Sequence, residues 1–409
     1  AQPNTLILLD SVKLFFDGLI IGIIFFVGFL LVFSVLLRIL GAKRILPILY
    51  ISVIYFAVTI LNPVITDGGH NMEGRNSSVV FHLFLFNIFI SAVIYKFLIK
   101  DVKNKSLFSG VGVASVTPFD NNGNIDLDAI DRLCEYFFLG GISYVVVQGT
   151  TGESSSLSKE EKEIVNRRFV NALKNKLPLI LGISSNSTTE LCDLISKTDT
   201  TGFEAIMSVC PYYNKPSQEG IFQHFKNAVD ISPLPILLYN VPGRTASDIS
   251  DDTIIKLSSY SKKIIGIKEA SGITDRIANL RKNTHDEFLI ISGDDFTIVD
   301  AVRSGADGII SVAANAYPSI MNSTYIQLLW ENDKSKPQNI PKTKLNSAEF
   351  VLNNFFQLIF DEGNPSGIKF AMSRLNLCKE KVRLPLTGIS NKLKDKILKF
   401  LKKYPDSDL

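Results

Sequence analysis

From residue 107 onward, the sequence predicts an α/β fold: a TIM (β/α)8 barrel with extra C-terminal helices. Eight short apolar runs recur there, separated by stretches with helical spacing. Runs such as YVVVQG, PLILGI and ILLYNVP are continuously apolar, as parallel strands buried on both faces are. An open, doubly wound sheet is the alternative, which is disfavoured because no GxGxxG motif is present and eight runs are counted.

The predicted strands lie at 111–119, 144–149, 178–183, 205–210, 236–242, 264–270, 288–295 and 308–314. Between the second and third, SLSKEEKEIVNRRFVNALKNK opens with a serine cap and has apolar residues at helical spacing. We assign residues 110–316 to the barrel, 101–109 to a short linker and 317–409 to a C-terminal helical region.

The first hundred residues differ in composition from the rest of the chain. Three apolar runs, at 18–37, 45–65 and 79–99, are each about long enough to cross a hydrocarbon core of roughly 30 Å. They predict a membrane segment of three helices over 1–100, with buried core helices of a soluble domain as the alternative. Basic residues in the first connection and after the third run place the barrel on the cytosolic side of the membrane. The barrel would then be anchored at the inner face of the cytoplasmic membrane.

Charge and ligand spacing exclude some classes of function. The net charge of +3 is modest and gives no reason to expect a nucleic-acid partner. The four cysteines form no CxxC pair, and the four histidines show no metal-ligand spacing. We therefore expect reduced cytosolic thiols and no bound metal.

Polar residues follow several of the predicted strands, where a barrel carries its active site. Lysine is rarely buried, yet one lysine ends the apolar run IIGIK; a neutral lysine amine attacks carbonyls and forms Schiff bases. Taken singly, each position fits a turn, a cap or a solvated charge, but together they indicate one site. These residues are Thr150, Thr151, Tyr212, Tyr213, Tyr239, Arg244, Lys268 and the Gly293–Asp295 turn.

The segments GVASVTPF, GTTGESSSL, PYYNKPSQEG, YNVPGRT, GIKEASG, SGDD and GIISVAAN occur in this order. Over about residues 107–401 the chain resembles the dihydrodipicolinate synthase branch of the pyruvate-dependent class I aldolases, which include N-acetylneuraminate lyase. The resemblance implies condensation of pyruvate with L-aspartate 4-semialdehyde to 4-hydroxy-tetrahydrodipicolinate, in lysine and diaminopimelate biosynthesis. It implies no cofactor beyond a covalent imine on the protein.

The resemblance also implies roles for individual residues. Lys268 is expected to form the imine and Tyr239 to relay protons. Thr150 and Tyr213 complete the proton path, and Tyr213 reaches into the site of a neighbouring subunit. The expected substrate contacts are Gly149, Thr151, Arg244 and Ile310.

Arg244 is expected to hold the carboxylate of the aldehyde substrate, since a guanidinium binds a carboxylate bidentately. It therefore favours the synthase branch. The alternatives are another aldolase, such as an N-acetylneuraminate or keto-deoxy-sugar-acid lyase, and a non-catalytic membrane scaffold. The intact set of Lys268, Tyr239, Thr150 and Tyr213 disfavours the scaffold.

Some members of this family bind inhibitory lysine between subunits. The residues that match that site are Ser154, Leu157, Asn186, Glu190 and Tyr212. Lys159 and Lys162 stand where lysine-sensitive members more often carry histidine or another uncharged ring. Because like charges repel, we expect lysine feedback to be weak or absent.

The resemblance implies a homodimer or a homotetramer. A tetramer with perpendicular two-folds directs its N-termini to opposite sides, whereas the connector of about ten residues spans at most roughly 35 Å. Three explanations follow: the enzyme is a dimer, the anchor is removed, or residues 1–100 are an unrelated membrane protein joined to the barrel.

Overall fold

The structure, a computed structural model, describes residues 107–332 and 342–404. Eight parallel strands form a closed barrel in sequential order from β1 to β8, which confirms the predicted fold. The strands are β1 Gly110–Ala114, β2 Tyr144–Val147, β3 Leu179–Gly182, β4 Ala205–Val209, β5 Ile236–Asn240, β6 Ile264–Glu269, β7 Leu289–Ser292 and β8 Gly308–Ser311. Each lies within, or within one residue of, a predicted apolar run.

Helices follow the strands and surround the barrel. They are α1 Leu127–Leu139, α2 Lys159–Leu173, α3 Thr188–Lys197, α4 Gln218–Ile231, α5 Pro242–Thr245, α6 Asp251–Tyr260, α7 Thr274–Asn283, α8 Ile298–Arg303, α9 Pro318–Asn332, α10 Lys342–Phe360, α11 Ser366–Arg374 and α12 Asn391–Lys403.

Side-chain caps fix where many of these helices begin. The predicted serine cap is Ser158, whose hydroxyl accepts from the Glu161 amide in a reciprocal capping box at the start of α2. Ser187, Ser217 and Ser250 cap α3, α4 and α6 in the same position. Each cap satisfies an N–H group that the first turn leaves unpaired, so the strand-to-helix loops are held close to the barrel.

Apolar side chains form two layers. One fills the space between strands and helices, and the other fills the inside of the barrel with residues such as Tyr144, Val146, Ile180, Leu237 and Ile291. The interior is therefore a packed core and not a channel. Its close packing makes the strand ends a rigid support for the loops that follow them.

The C-terminal helices stand on this framework. Helix α9, which completes the eighth β/α unit by packing on β1, lies in the range 317–409 assigned to the C-terminal helical region. Helices α10, α11 and α12 then pack on one another. The rings of Tyr317, Phe355 and Phe400 join α10 and α12 to the end of the barrel, with centroids 4.8 and 5.3 Å apart in succession.

The three predicted membrane helices over residues 1–100 lie outside the described residues. Within 107–332 and 342–404, no helix combines the length and the hydropathy that a membrane span needs.

Candidate active site

Lys268 and Tyr239 lie side by side on neighbouring strands. Their Cα atoms are register partners between β5 and β6. Both side chains are buried, with 5% and 6% of their surface exposed. The Lys268 Nζ lies 4.3 Å from the centroid of the Tyr239 ring. A primary amine and a phenol are thus held together at the C-terminal end of the barrel.

Gly293, directly after β7, makes room for the lysine. A Cβ atom at this position would lie 2.6 Å from Lys268 Cε and 2.8 Å from Lys268 Cγ. Such distances are far shorter than van der Waals contact, so a side chain here would displace the amine. A glycine is therefore required in the SGDD segment to leave space for the Lys268 side chain, and not only to form the turn.

A polar network lies directly behind the amine and the phenol, and sequence reasoning missed it. Asn240, next to Tyr239, donates to Glu269, next to Lys268, over 2.9 Å. The other amide proton of Asn240 goes to Asp248, which also binds Arg276. The hydrogen bond from Arg276 lowers the pKa of Asp248. In the sequence, this network could have been indicated by the polar residues that end otherwise apolar runs.

The turn after β2 carries the two threonines. Thr150–Gly152 is a 3₁₀ turn whose first N–H groups are not used by the turn itself. The Thr117 hydroxyl donates to the Gly152 carbonyl over 2.6 Å and ties the turn to the end of β1. Thr151 is buried and Thr150 is exposed, while Gly149 immediately precedes them. The turn therefore brings both threonines to the C-terminal end of β2.

Two residues near the C-terminus contact this turn, and neither was predicted. Asn364 Nδ2 donates to Thr151 Oγ1 over 3.0 Å. Lys369 and Glu153 form a fully buried ion pair of 2.5 Å. Both contacts join residues more than 200 positions apart, so no local pattern in the sequence indicates them.

The remaining predicted contacts lie around the same end of the barrel. Ile310 is buried in β8, with its side chain in the barrel interior. Arg244 is exposed on the short helix α5 and forms no ion pair with any described residue. Tyr213 is 87% exposed and adopts a left-handed φ of +74°, which is uncommon for a bulky residue. It makes no hydrogen bond or ring contact with Tyr239 or Lys268 within the described part of the chain.

The five residues that match a lysine site follow β2, β3 and β4. Leu157 is buried, and the Ser154 hydroxyl contacts Gln148 Oε1 at 3.4 Å. Glu190 accepts from the Ser185 hydroxyl over 2.5 Å. Asn186 accepts at its carbonyl from Asn214, and Tyr212 is 39% exposed. These residues make separate local contacts in the loops and turns after three neighbouring strands, and none of them is part of the barrel interior.

The predicted turn at Gly293–Asp295 has a structural role. The buried Asp295 carboxylate accepts from the amides of Val312 and Ala313, at 3.0 and 2.9 Å. Burial raises its pKa to about 6. Asp295 thus joins the loop after β7 to the loop after β8.

A buried lysine amine beside a phenol, at the C-terminal end of an eight-stranded barrel, is suited to a lyase that forms a Schiff base with a carbonyl substrate. The model of the Dihydrodipicolinate synthetase family matches residues 107–404. The chain belongs to this family.

Individual relatives agree with the family assignment. The 4-hydroxy-tetrahydrodipicolinate synthase of Flavobacterium psychrophilum is 40% identical over 295 residues, which cover 72% of this chain and 98% of the relative. The dihydrodipicolinate synthase structure from Aquifex aeolicus is 34% identical, with a TM-score of 0.68 over 73% of this chain and 98% of that one. A structure from Cyanidioschyzon merolae with lysine bound is 30% identical, with a TM-score of 0.68 over 74% and 99%.

Proposed function

We propose that this chain condenses pyruvate with L-aspartate 4-semialdehyde to give 4-hydroxy-tetrahydrodipicolinate, a step of lysine and diaminopimelate biosynthesis. The observation that carries the proposal is the pairing of Lys268 with Tyr239 on adjacent strands. The named activity of its relatives supports the same reaction.

The chemistry begins at the Lys268 amine. Its Nζ attacks the C2 carbonyl of pyruvate, and loss of water gives an imine on the protein. Once protonated, the imine withdraws electrons and acidifies the methyl group, which loses a proton to become an enamine. The enamine carbon then attacks the aldehyde and forms the new carbon–carbon bond. The amino group that came with the aldehyde substrate next attacks the imine carbon and displaces the Lys268 amine, which closes the ring and releases the product. No metal or organic cofactor is needed in these steps.

Tyr239 is the proton carrier in this proposal. The carbinolamine must gain a proton before water leaves, and the aldehyde oxygen must gain one as the new bond forms. A buried phenol next to the amine serves both steps. Its ring also favours a cationic nitrogen, because the face of an aromatic ring attracts positive charge. Thr150 and Tyr213 would connect it to solvent.

The two carboxylates are assigned to separate groups. The turn at Gly149, Thr150 and Thr151 would bind the pyruvate carboxylate through amides and hydroxyls, with Ile310 lining the pocket. Arg244 would bind the carboxylate of the aldehyde substrate, since its guanidinium has no ion pair with a described residue. Its exposed position suits the substrate that arrives second.

Subunit assembly completes the proposal. Tyr213 is exposed and has a strained backbone conformation. Both features are explained if a second copy of the chain covers this residue and its side chain enters the site of that copy. We therefore propose a homodimer or homotetramer in the cytoplasm. Attachment to a membrane through residues 1–100 stays a prediction from the sequence.

Trapping followed by turnover tests the proposal. The purified protein is incubated with pyruvate and borohydride, and the adduct is located by peptide mass spectrometry. We expect one adduct, on Lys268, lost in Lys268→Ala and retained in Lys263→Ala. The control lysine precedes the same strand and binds the Ser232 carbonyl instead.

Turnover is then measured with pyruvate and aspartate semialdehyde, coupled to reduction of the product. A borohydride-stable adduct that persists in Lys268→Ala would show that the nucleophile is misassigned. Trapping on Lys268 without turnover would point to another aldehyde acceptor, as in the sugar-acid lyases of the family.

A further inference from the structure

The segment that begins with Asn364 and enters α11 contacts the turn after β2 through buried polar groups. Asn364 Nδ2 donates to Thr151 Oγ1 over 3.0 Å, and both side chains are less than one-tenth exposed. Nearby, Lys369 pairs with Glu153, whose other oxygen accepts from the Arg383 amide over 3.0 Å. The C-terminal region thus reaches the loop to which we assign the pyruvate carboxylate.

The direction of the bond between Asn364 and Thr151 has a chemical consequence. A hydroxyl group offers one donor and two acceptor lone pairs. The amide of Asn364 uses a lone pair of Thr151 Oγ1, so the hydroxyl proton is left available. Within residues 107–332 and 342–404, that proton meets no acceptor. An available donor in a buried site is suited to an anion, because burial strengthens hydrogen bonds to charged groups.

The ion pair beside this contact keeps the two segments in register. Lys369 Nζ lies 2.5 Å from Glu153 and 2.9 Å from the Lys381 carbonyl, and 4.1 Å from the centroid of the Phe119 ring. Buried charges persist only when they are well paired. Movement of α11 relative to the turn would break these contacts, so Asn364 stays in place opposite Thr151.

We propose that Asn364 is a positioning residue that directs the Thr151 hydroxyl proton toward the carboxylate of the 2-oxoacid substrate. The inference rests on the proposed function, because only there does Thr151 meet such a carboxylate. Asn364 would then govern the affinity for pyruvate and leave carbon–carbon bond formation to Lys268 and Tyr239.

The test replaces the amide by an isosteric group that can only accept. In Asn364→Asp the Thr151 proton turns toward the new carboxylate and away from the substrate. The readout is the pyruvate concentration that gives half-maximal borohydride trapping on Lys268. We expect it to rise on the order of tenfold or more. When Thr151 is already replaced by Val, Asn364→Asp should raise this pyruvate concentration by only about a further factor of two.

Two further variants separate direction from charge and from packing. Asn364→Leu offers no acceptor, so its increase should be smaller than that of Asn364→Asp. Asn166→Asp places an acid at another buried asparagine, whose oxygen already accepts from Gln148, and should leave trapping within about twofold. Circular dichroism and thermal melting of each variant verify the fold.

Three results would overturn the inference: an unchanged half-saturation in Asn364→Asp, an equal increase with and without Thr151, or an equal increase for Asp and Leu. If Asn364→Asp does not fold, Asn364→Leu decides. For the inference to hold, this variant must raise the pyruvate concentration for half-maximal trapping by less than Thr151→Val does. Failure of the unaltered protein to trap pyruvate would instead overturn the proposed function, and this inference with it.

Discussion

Gly293 shows how a single residue without a side chain shapes the reactive pair. The space that its missing Cβ leaves is occupied by the Lys268 side chain. A methyl group there would meet the Lys268 side chain, which is flexible and would have to move, and the Ala270 Cβ at 3.0 Å, which is fixed to the backbone. The sequence indicated a turn at SGDD, but it did not indicate that the turn faces the lysine.

The first prediction concerns Gly293→Ala. We expect kcat to fall on the order of 100-fold, because a displacement of about 1 Å at the reacting atom is sufficient for that loss. Steady-state kinetics and pyruvate trapping measure the effect. Gly388→Ala is the matched control, since a Cβ there meets no atom within 4 Å. Equal activity of the two variants would show that the amine is not held by this contact.

At the scale of elements, the helices are anchored by caps and by buried polar contacts between neighbours. On α4, the His224 ring is 2% exposed and its Nδ1 lies 2.9 Å from the Thr188 hydroxyl of α3. Burial lowers the pKa of His224 to about 4. The folded protein therefore holds this ring neutral in a pH range in which the unfolded chain binds a proton.

The second prediction gives the pH dependence that follows. As pH falls from about 6.5 to about 4, the unfolded chain takes up the proton first and the free energy of unfolding decreases, by up to about 3 kcal/mol. Above pH 6.5 this contribution is fully present. Denaturant unfolding at several pH values, for the natural chain and for His224→Phe, measures it.

The difference between the two proteins isolates the histidine, because Asp295 titrates in the opposite sense. Its folded pKa of about 6 lies above the ordinary value of 3.8 for an aspartate, so protonation stabilises the fold as pH falls through this range. Parallel stability curves for the natural chain and His224→Phe would contradict the prediction.

The elements were predictable from sequence because their signals are local. Strands buried on both faces are continuously apolar, and a serine such as Ser158 precedes α2 by one position. Candidate residues at strand ends followed from the apolar runs that precede them, and their roles followed from the resemblance to a known family. The contact between Asn364 and Thr151 spans 213 positions, and nothing near either residue indicates the other. Tertiary contacts of this kind need the folded chain.

At the scale of the whole molecule, Ser154, Leu157, Asn186, Glu190 and Tyr212 are the residues that we expect to form a lysine site. The start of α2 adds Lys159 and Lys162 to the same region. Both are cationic, as the ammonium group of lysine is. The lysine-bound relative shows that a protein of this fold accepts lysine. In this chain we expect Lys159 and Lys162 to oppose lysine binding, because like charges repel.

The third prediction is that lysine inhibits this protein weakly. Initial rates with both substrates are measured as lysine is increased, for the natural chain and for the double change Lys159→His and Lys162→His. We expect inhibition to strengthen in the double variant, because both repelling charges are then largely removed at neutral pH. Lys174→His with Lys176→His, past the other end of α2, is the control. Half-inhibition of the natural chain by sub-millimolar lysine would contradict the prediction.

The buried pair of Glu153 and Lys369 has a consequence for how this protein can change over generations. Losing one partner leaves an unpaired charge in the interior, at a cost of roughly 3–5 kcal/mol, out of about 5–15 kcal/mol that holds a typical domain folded. A lineage that alters either residue first passes through a weakened protein. The turn after β2 and helix α11 are therefore constrained to evolve as one unit.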